Sequence, residues 1–197
     1  MTTGISSDST FYICVSEDIQ KPKNLCEILE CYSFFLGKNI LEELPPSLIE
    51  REDFKKSINF LEGNYFELVK PYFGREKKHE KDGEYEAIGI AYHLERMELL
   101  KCLIIDEKRA QNFVKAHFPT LAIKLVRSFG FLKNACCNDN KIQRSVVIEI
   151  FETIIQRVKD NSISNKNGKQ RRPCGMTLEN YVDIIIPIVK QIQSLED

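Results

Sequence analysis

Residues 81–118, KDGEYEAIGIAYHLERMELLKCLIIDEKRAQNFVKAHF, decide the class of fold. In under forty residues they pack a helix, a short apolar run and a second helix. The run at 102–105 (CLII) is too short for an ordinary helix and lies between two helical patterns, so it reads as a strand buried on both faces. Acidic residues stand at both junctions: Glu84 and Glu86 open the first helix, and Asp106 and Glu107 follow the strand. Open parallel sheets bind ligands beyond the carboxyl ends of their strands, so Asp106 occupies the position where α/β folds place their chemistry.

The totals set the frame. A chain of 197 residues forms one domain with a proper core. A formal charge of -1 and a pI near 6.4 exclude strong whole-chain attraction to nucleic acid, so a polyanion must be held by a local patch. Seven cysteines are an odd, irregularly spaced set without a zinc-type array. Cys14, Cys26 and Cys102 lie in apolar surroundings and read as small core residues, which fits a reducing cytoplasm. No run approaches the ~18 apolar residues of a membrane span, so the expectation is a soluble, cytoplasmic protein without a membrane partner.

Around the central stretch the pattern is that of alternating strands and helices. Residues 10–15 (TFYICV) read as a first strand ending in Ser16-Glu17-Asp18, 23–31 as a short helix, and 32–36 (YSFFL) as a second strand closed by Gly37. A short helix over 39–44 stops at Pro45-Pro46, and helical patterns continue over 47–54 and 58–72, with Gly63-Asn64 as a possible break. Residues 74–83 carry no apolar side chain and read as a solvated loop. Periodicity leaves 121–126 undecided between strand and helix, and 129–137 reads as a short helix. Residues 143–159 give the cleanest amphipathic helix, with Val147, Ile150, Phe151 and Ile154 on one face. The expected organisation is an α/β domain over 10–159, a polar basic linker over 160–176, and a helix over 177–197 with Pro187 kinking it, packed on the domain or on a partner.

The string Gly83-Glu84-Tyr85-Glu86-Ala87-Ile88, followed by Ala91 and then by Ile105-Asp106-Glu107-Lys108-Arg109-Ala110, resembles the second half of a PIN-domain ribonuclease. It is most similar to the branch with GE-x-EAI and LIDD-x-x-AR elements. Glu42-Glu43-Leu44 stands where that family has an acidic residue before leucine, and the similarity covers about residues 11–135. The resemblance implies a three-layer α/β/α sandwich with a mostly parallel sheet, extended here by C-terminal helix. It implies four carboxylates that bind Mg²⁺ or Mn²⁺ and hydrolyse single-stranded RNA, with Glu43, Glu86 and Asp106 catalytic and metal-binding. Glu107 can share the role of Asp106. The family's first strand ends in an aspartate directly after its apolar residues, whereas Val15 is followed by Ser16, so the first acid is expected from Glu17 or Asp18. Side-chain alternation along a regular strand favours Asp18.

The same resemblance implies an RNA partner and allows a toxin role with an antitoxin protein; a homodimer through the last helix is a further expectation. For RNA phosphates the candidates are Lys108 and Arg109 beside the site, and Lys166, Lys169, Arg171 and Arg172 in the linker. The alternative is a catalytically degenerate relative that binds RNA or protein. Each acid also has an ordinary reading as a helix cap or first-turn charge, of about 1 kcal/mol or less apiece.

Overall fold

The computed structural model describes residues 3–73, 82–159 and 178–194. The linker candidates Lys166, Lys169, Arg171 and Arg172, and most of the charged stretch before Asp82, lie outside the described residues. In chain order the elements are β1 (Gly4–Ser7), α1 (Ser9–Ile13) continued by a π-helical turn (Cys14–Asp18), α2 (Pro22–Glu30), β2 (Ser33–Leu36), α3 (Lys38–Glu43), α4 (Pro46–Ile49), α5 (Glu52–Ser57) and β3 (Ile58–Phe60). Two 3-10 turns (Tyr65–Leu68, Lys70–Phe73) precede α6 (Gly83–Arg96), β4 (Leu100–Ile104), α7 (Lys108–His117), α8 (Pro119–Lys124), β5 (Leu125–Val126), α9 (Ser128–Cys137), α10 (Arg144–Lys159) and α11 (Leu178–Gln193).

All five strands are parallel, in the order β3-β2-β1-β4-β5. The chain builds outward from β1 through β2 to β3, crosses back through α6 to β4, and ends at β5. Crossovers of the usual right hand then put α6 and α8 on one face and the helices that follow β1 and β2 on the other. The contacts agree: α6 packs on β1, β2 and β4 and α8 on β4, while α2 packs on β2. On the face of α1 and α9, Phe34 of β2 stacks on Phe11 at 5.8 Å and meets Phe131 edge-on at 5.8 Å. The result is a three-layer α/β/α sandwich. The helix α11 packs on α9 and α10, burying Ile185, Val189 and Ile192. Pro187 sits inside α11, which runs unbroken across it.

The first strand departs from the sequence reading. Residues 10–15 are helical, and the central strand is the preceding GISS. Aromatic and β-branched content favours a strand for TFYICV, but Phe11 in α1 and Val15 in the π-helical turn fall at i and i+4 and are buried, as is Ile19 at the C-cap of that turn. Asp8 starts that helix, accepting the backbone N–H of Thr10 at 3.1 Å. β1 itself carries one large apolar side chain, Ile5, and two serines that are fully buried. Ser6 meets the requirement of burial by donating its Oγ–H to the Ala87 carbonyl of α6 at 2.8 Å.

Elsewhere the differences are smaller. Residues 58–72, read as a helix, form the edge strand β3 and the two 3-10 turns, and Gly63 at φ 139° takes the turn between them. The undecided 121–126 divides into the end of α8 and β5. β4 begins two residues before the apolar run because Leu100 pairs with Gly4. Cys26 and Cys102 are buried and free, as read; Cys14 is buried but disulfide-bonded, which spacing along the chain does not reveal. No helix among the described residues is long and apolar enough to cross a membrane.

Candidate functional site

The strand order reverses between β1 and β4, and that reversal is where an open α/β sheet leaves a crevice at its carboxyl edge. Ser7 pairs with Ile104, and the backbone N–H of Asp8 continues the ladder to the Ile104 carbonyl at 3.1 Å. Asp8 and Asp106 therefore leave neighbouring strands at nearly the same height. The Asp106 N–H donates to Asp8 Oδ2 at 3.1 Å, so one acid holds the backbone of the other. Asp8 is fully buried and Asp106 is 9% exposed.

Asp106 faces α9. Its carboxylate accepts the Ser128 N–H at 3.0 Å and the Ser128 hydroxyl. The helix α9 has no side-chain cap of its own, so Asp106 serves as one from across the fold. The expectation that Asp106 caps the helix following it is not met; Glu107 does that for α7, accepting the Ala110 N–H at 2.9 Å. Glu43, at the end of α3, accepts the Ser9 hydroxyl and the Gly83 N–H, the latter at 2.7 Å. Gly83 is needed for that approach, because a Cβ there would lie 2.6 Å from Glu43 Oε2.

Glu86 is buried on the inner side of α6 and turns to the start of α3, where it accepts the Ile40 N–H at 2.9 Å. Gly37, the residue before α3, makes room: a Cβ there would stand 2.4 Å from the carboxyl carbon of Glu86. Thus five helices, α1, α3, α6, α7 and α9, each begin at a carboxylate, that of Asp8, Glu86, Glu43, Glu107 and Asp106 respectively. The positive ends of five helices and five acids meet along one edge of the sheet.

A cleft of ≈ 380 Å³ opens there, lined by Glu43, Asp82, Glu84, Tyr85, Glu107 and Arg109. Four of the six are acidic. Burial, and then the charge of Asp106, push the Asp8 carboxyl well above its ordinary range, and the field of Glu84 adds to this. Burial also raises Asp106, against the opposing hydrogen bonds from Ser128. Glu84 is raised by burial and by Glu43, Asp82 and Glu107, and Glu86 by burial against the α3 N–H groups. These are acids crowded enough to hold protons more tightly than usual.

Of the residues expected in a metal site, Glu43, Glu107 and Asp106 come to this edge of the sheet, Glu43 and Glu107 in the lining of the cleft itself. Glu86 does not line it and is taken up by α3. The structure does not bring Glu17 and Asp18 to a strand end: both lie in the π-helical turn after α1, with Glu17 accepting the exposed Ser47 hydroxyl at 2.8 Å. The acid at the end of the first strand is Asp8, and a sequence signal existed in Asp8-Ser9-Thr10 before the helical apolar pattern. Ser9 and Ser128 were missed because a hydroxyl that orients an acid leaves no mark along the chain. Lys108 and Arg109 are exposed at the start of α7, and Arg109 lines the cleft. Among the described residues no three His, Cys, Asp or Glu side chains are grouped so as to hold a metal ion as they stand.

No protein-family model, curated protein or solved structure matches the chain.

Proposed function

We propose that the chain is a metal-dependent endoribonuclease of the PIN type, acting on single-stranded RNA through Asp8, Glu43, Glu84 and Asp106, with Glu107 at the rim. The observation that supports this most is the pair Asp8 and Asp106, on adjacent parallel strands at the reversal of strand order, above an acidic cleft. Asp8 takes the first-strand role that residues 16–18 do not fill, and Glu84 replaces Glu86 as the helix acid that faces the cleft. The donor set fits a hard cation: every candidate ligand is a carboxylate oxygen, burial raises Asp8, Glu84 and Asp106, and neighbouring acids add to this at Asp8 and Glu84. Among the described residues no three of the acids are grouped for an ion as they stand, so ion binding is coupled to side-chain rearrangement. Mg²⁺ or Mn²⁺, when bound, supplies Lewis-acid polarisation and a more acidic water for in-line attack on phosphorus.

The chain's own residues do the positioning. The Thr10 and Asp106 N–H groups fix both oxygens of Asp8, Ser9 orients Glu43, and Ser128 orients Asp106. Arg109, in the lining, and Lys108, beside it, are placed to hold phosphates. The toxin role and the antitoxin partner rest on the resemblance alone.

One observation favours a second reading, a degenerate PIN-like binding module. Helix N-termini already serve five of the acids, so charge balance at the edge does not require a cation. Purified protein with Mn²⁺ and single-stranded RNA separates the two. The nuclease reading expects cleavage that Asp8→Asn and Asp106→Asn each abolish, and a Mn²⁺-dependent rise in melting temperature that Asp8→Asn removes. Equal cutting by both variants sinks it; a parent chain that binds the RNA but neither cuts it nor shifts with Mn²⁺ supports the module.

A further inference from the structure

A run of rings leads out of the cleft. Tyr85, in the lining, meets Phe73 edge-on at 4.7 Å and Phe113 at 5.2 Å. Phe73 stacks on Phe113 at 4.5 Å with the planes 4° apart. Phe113 contacts His117 at 4.8 Å, and Tyr72 lies 5.4 Å from His117 and 4.7 Å from Phe118. Tyr85 and Phe118 are buried, but Tyr72 is 44% exposed and His117 is exposed, so the run ends in a ledge of solvent-facing rings.

The geometry of α7 connects this ledge to the cleft. Arg109, Phe113 and His117 follow one another at intervals of four, which sets a guanidinium and two rings along one stripe of the helix. From Arg109 to His117 that stripe rises roughly 12 Å at 1.5 Å per residue. The helix carries no acidic residue within its span, and Lys108 and Lys115, both exposed, form no salt bridge among the described residues. Exposed rings interleaved with exposed lysines suit an unpaired polynucleotide strand, whose bases stack on the rings while its phosphates meet the lysines. A duplex hides its base faces and gains only the charge term.

We infer that Tyr72 and His117 form a base-stacking subsite for single-stranded RNA, with Lys108 and Lys115 along its phosphates, which leads the strand toward the acidic cleft. The inference deepens the nuclease reading and rests on it for the direction of the strand, but binding is measured apart from cutting. In chelator-containing buffer, anisotropy of a labelled single-stranded RNA and of a duplex of the same sequence is followed with the full chain. The single strand binds and the duplex binds more weakly. Tyr72→Ala and His117→Ala each weaken the single strand about tenfold, Tyr72→Phe keeps the affinity, and melting temperatures near that of the parent show that the exposed substitutions leave the fold intact. Replacing Lys108 and Lys115 by alanine lowers the slope of log affinity against log salt by about 1.4. Equal affinity for duplex and single strand, unchanged affinity in both ring variants, or no binding at all overturns the subsite. Cutting that persists with unaltered KM in the ring variants leaves the nuclease without the ledge; stacking without cutting leaves the ledge without the nuclease.

Discussion

Asp8 shows how one residue carries two loads. Its oxygens accept two backbone N–H groups, those of Thr10 and Asp106, while burial and the neighbouring acid oppose its charge. Asp8→Ala orphans both donors and removes the cap of α1, for an expected loss on the order of 2 kcal/mol in urea denaturation. Asp8→Asn removes the repulsion but turns an amide NH2 toward one of the two N–H donors, so its melting temperature at pH 8 should fall between those of Asp8→Ala and the parent. The pH dependence follows from the same cause. Asp8, Asp106 and Glu84 have folded pKa values raised above ordinary values of 3.8, 3.8 and 4.5, so the folded chain binds protons that the unfolded chain has released. Their contribution is complete below those ordinary values and is lost as pH climbs through the raised ones. Stability at pH 8 should therefore fall below that at pH 5, with a flatter profile in Asp8→Asn. A parent profile that rises from pH 5 to pH 8 would contradict the crowding described for the cleft.

At the level of elements, α3 depends on a residue 46 positions away. The short helix has no side-chain cap of its own, and Glu86 supplies one through the gap at Gly37. Gly37→Ala would force a methyl into a carboxylate, with an expected loss of roughly 1 to 3 kcal/mol. Glu86→Gln should cost less than about 1 kcal/mol and leave RNA cutting intact, since the side chain serves α3; lost cutting in a folded Glu86→Gln protein would return this acid to the reaction. The sequence was readable where periodicity was long and bounded. α6, β4 and α7 stand out because a 14-residue helix, a buried apolar run and a 10-residue helix follow without interruption. β1 was hidden because its place at the centre of the sheet is earned by small size and a serine-to-backbone bond, neither of which reads as β propensity. The acids were legible as a set, but which of them face one another depends on helix ends that meet only in space.

For the whole molecule, the sheet sets the place of the site and α11 closes the core over α9 and α10. Ile185 and Ile192 are fully buried where α11 lies on α9 and α10, so Ile192→Ala should cost about 2 to 5 kcal/mol in urea denaturation. Removal of the segment from Leu178 onward should yield aggregation, whereas a well-folded monomer from a former dimer would assign the helix to assembly. The bond from Asp106 to Asp8 spans 98 residues, and Asp106 is oriented by Ser128, another 22 residues along. Such pairings are slow to close because the intervening chain must be gathered first. During synthesis β1 must therefore wait, with β2 as its one available strand neighbour, until β4 and α9 have been made. The acidic edge is thus assembled late, from segments that can meet only once the chain has been made through Ser128.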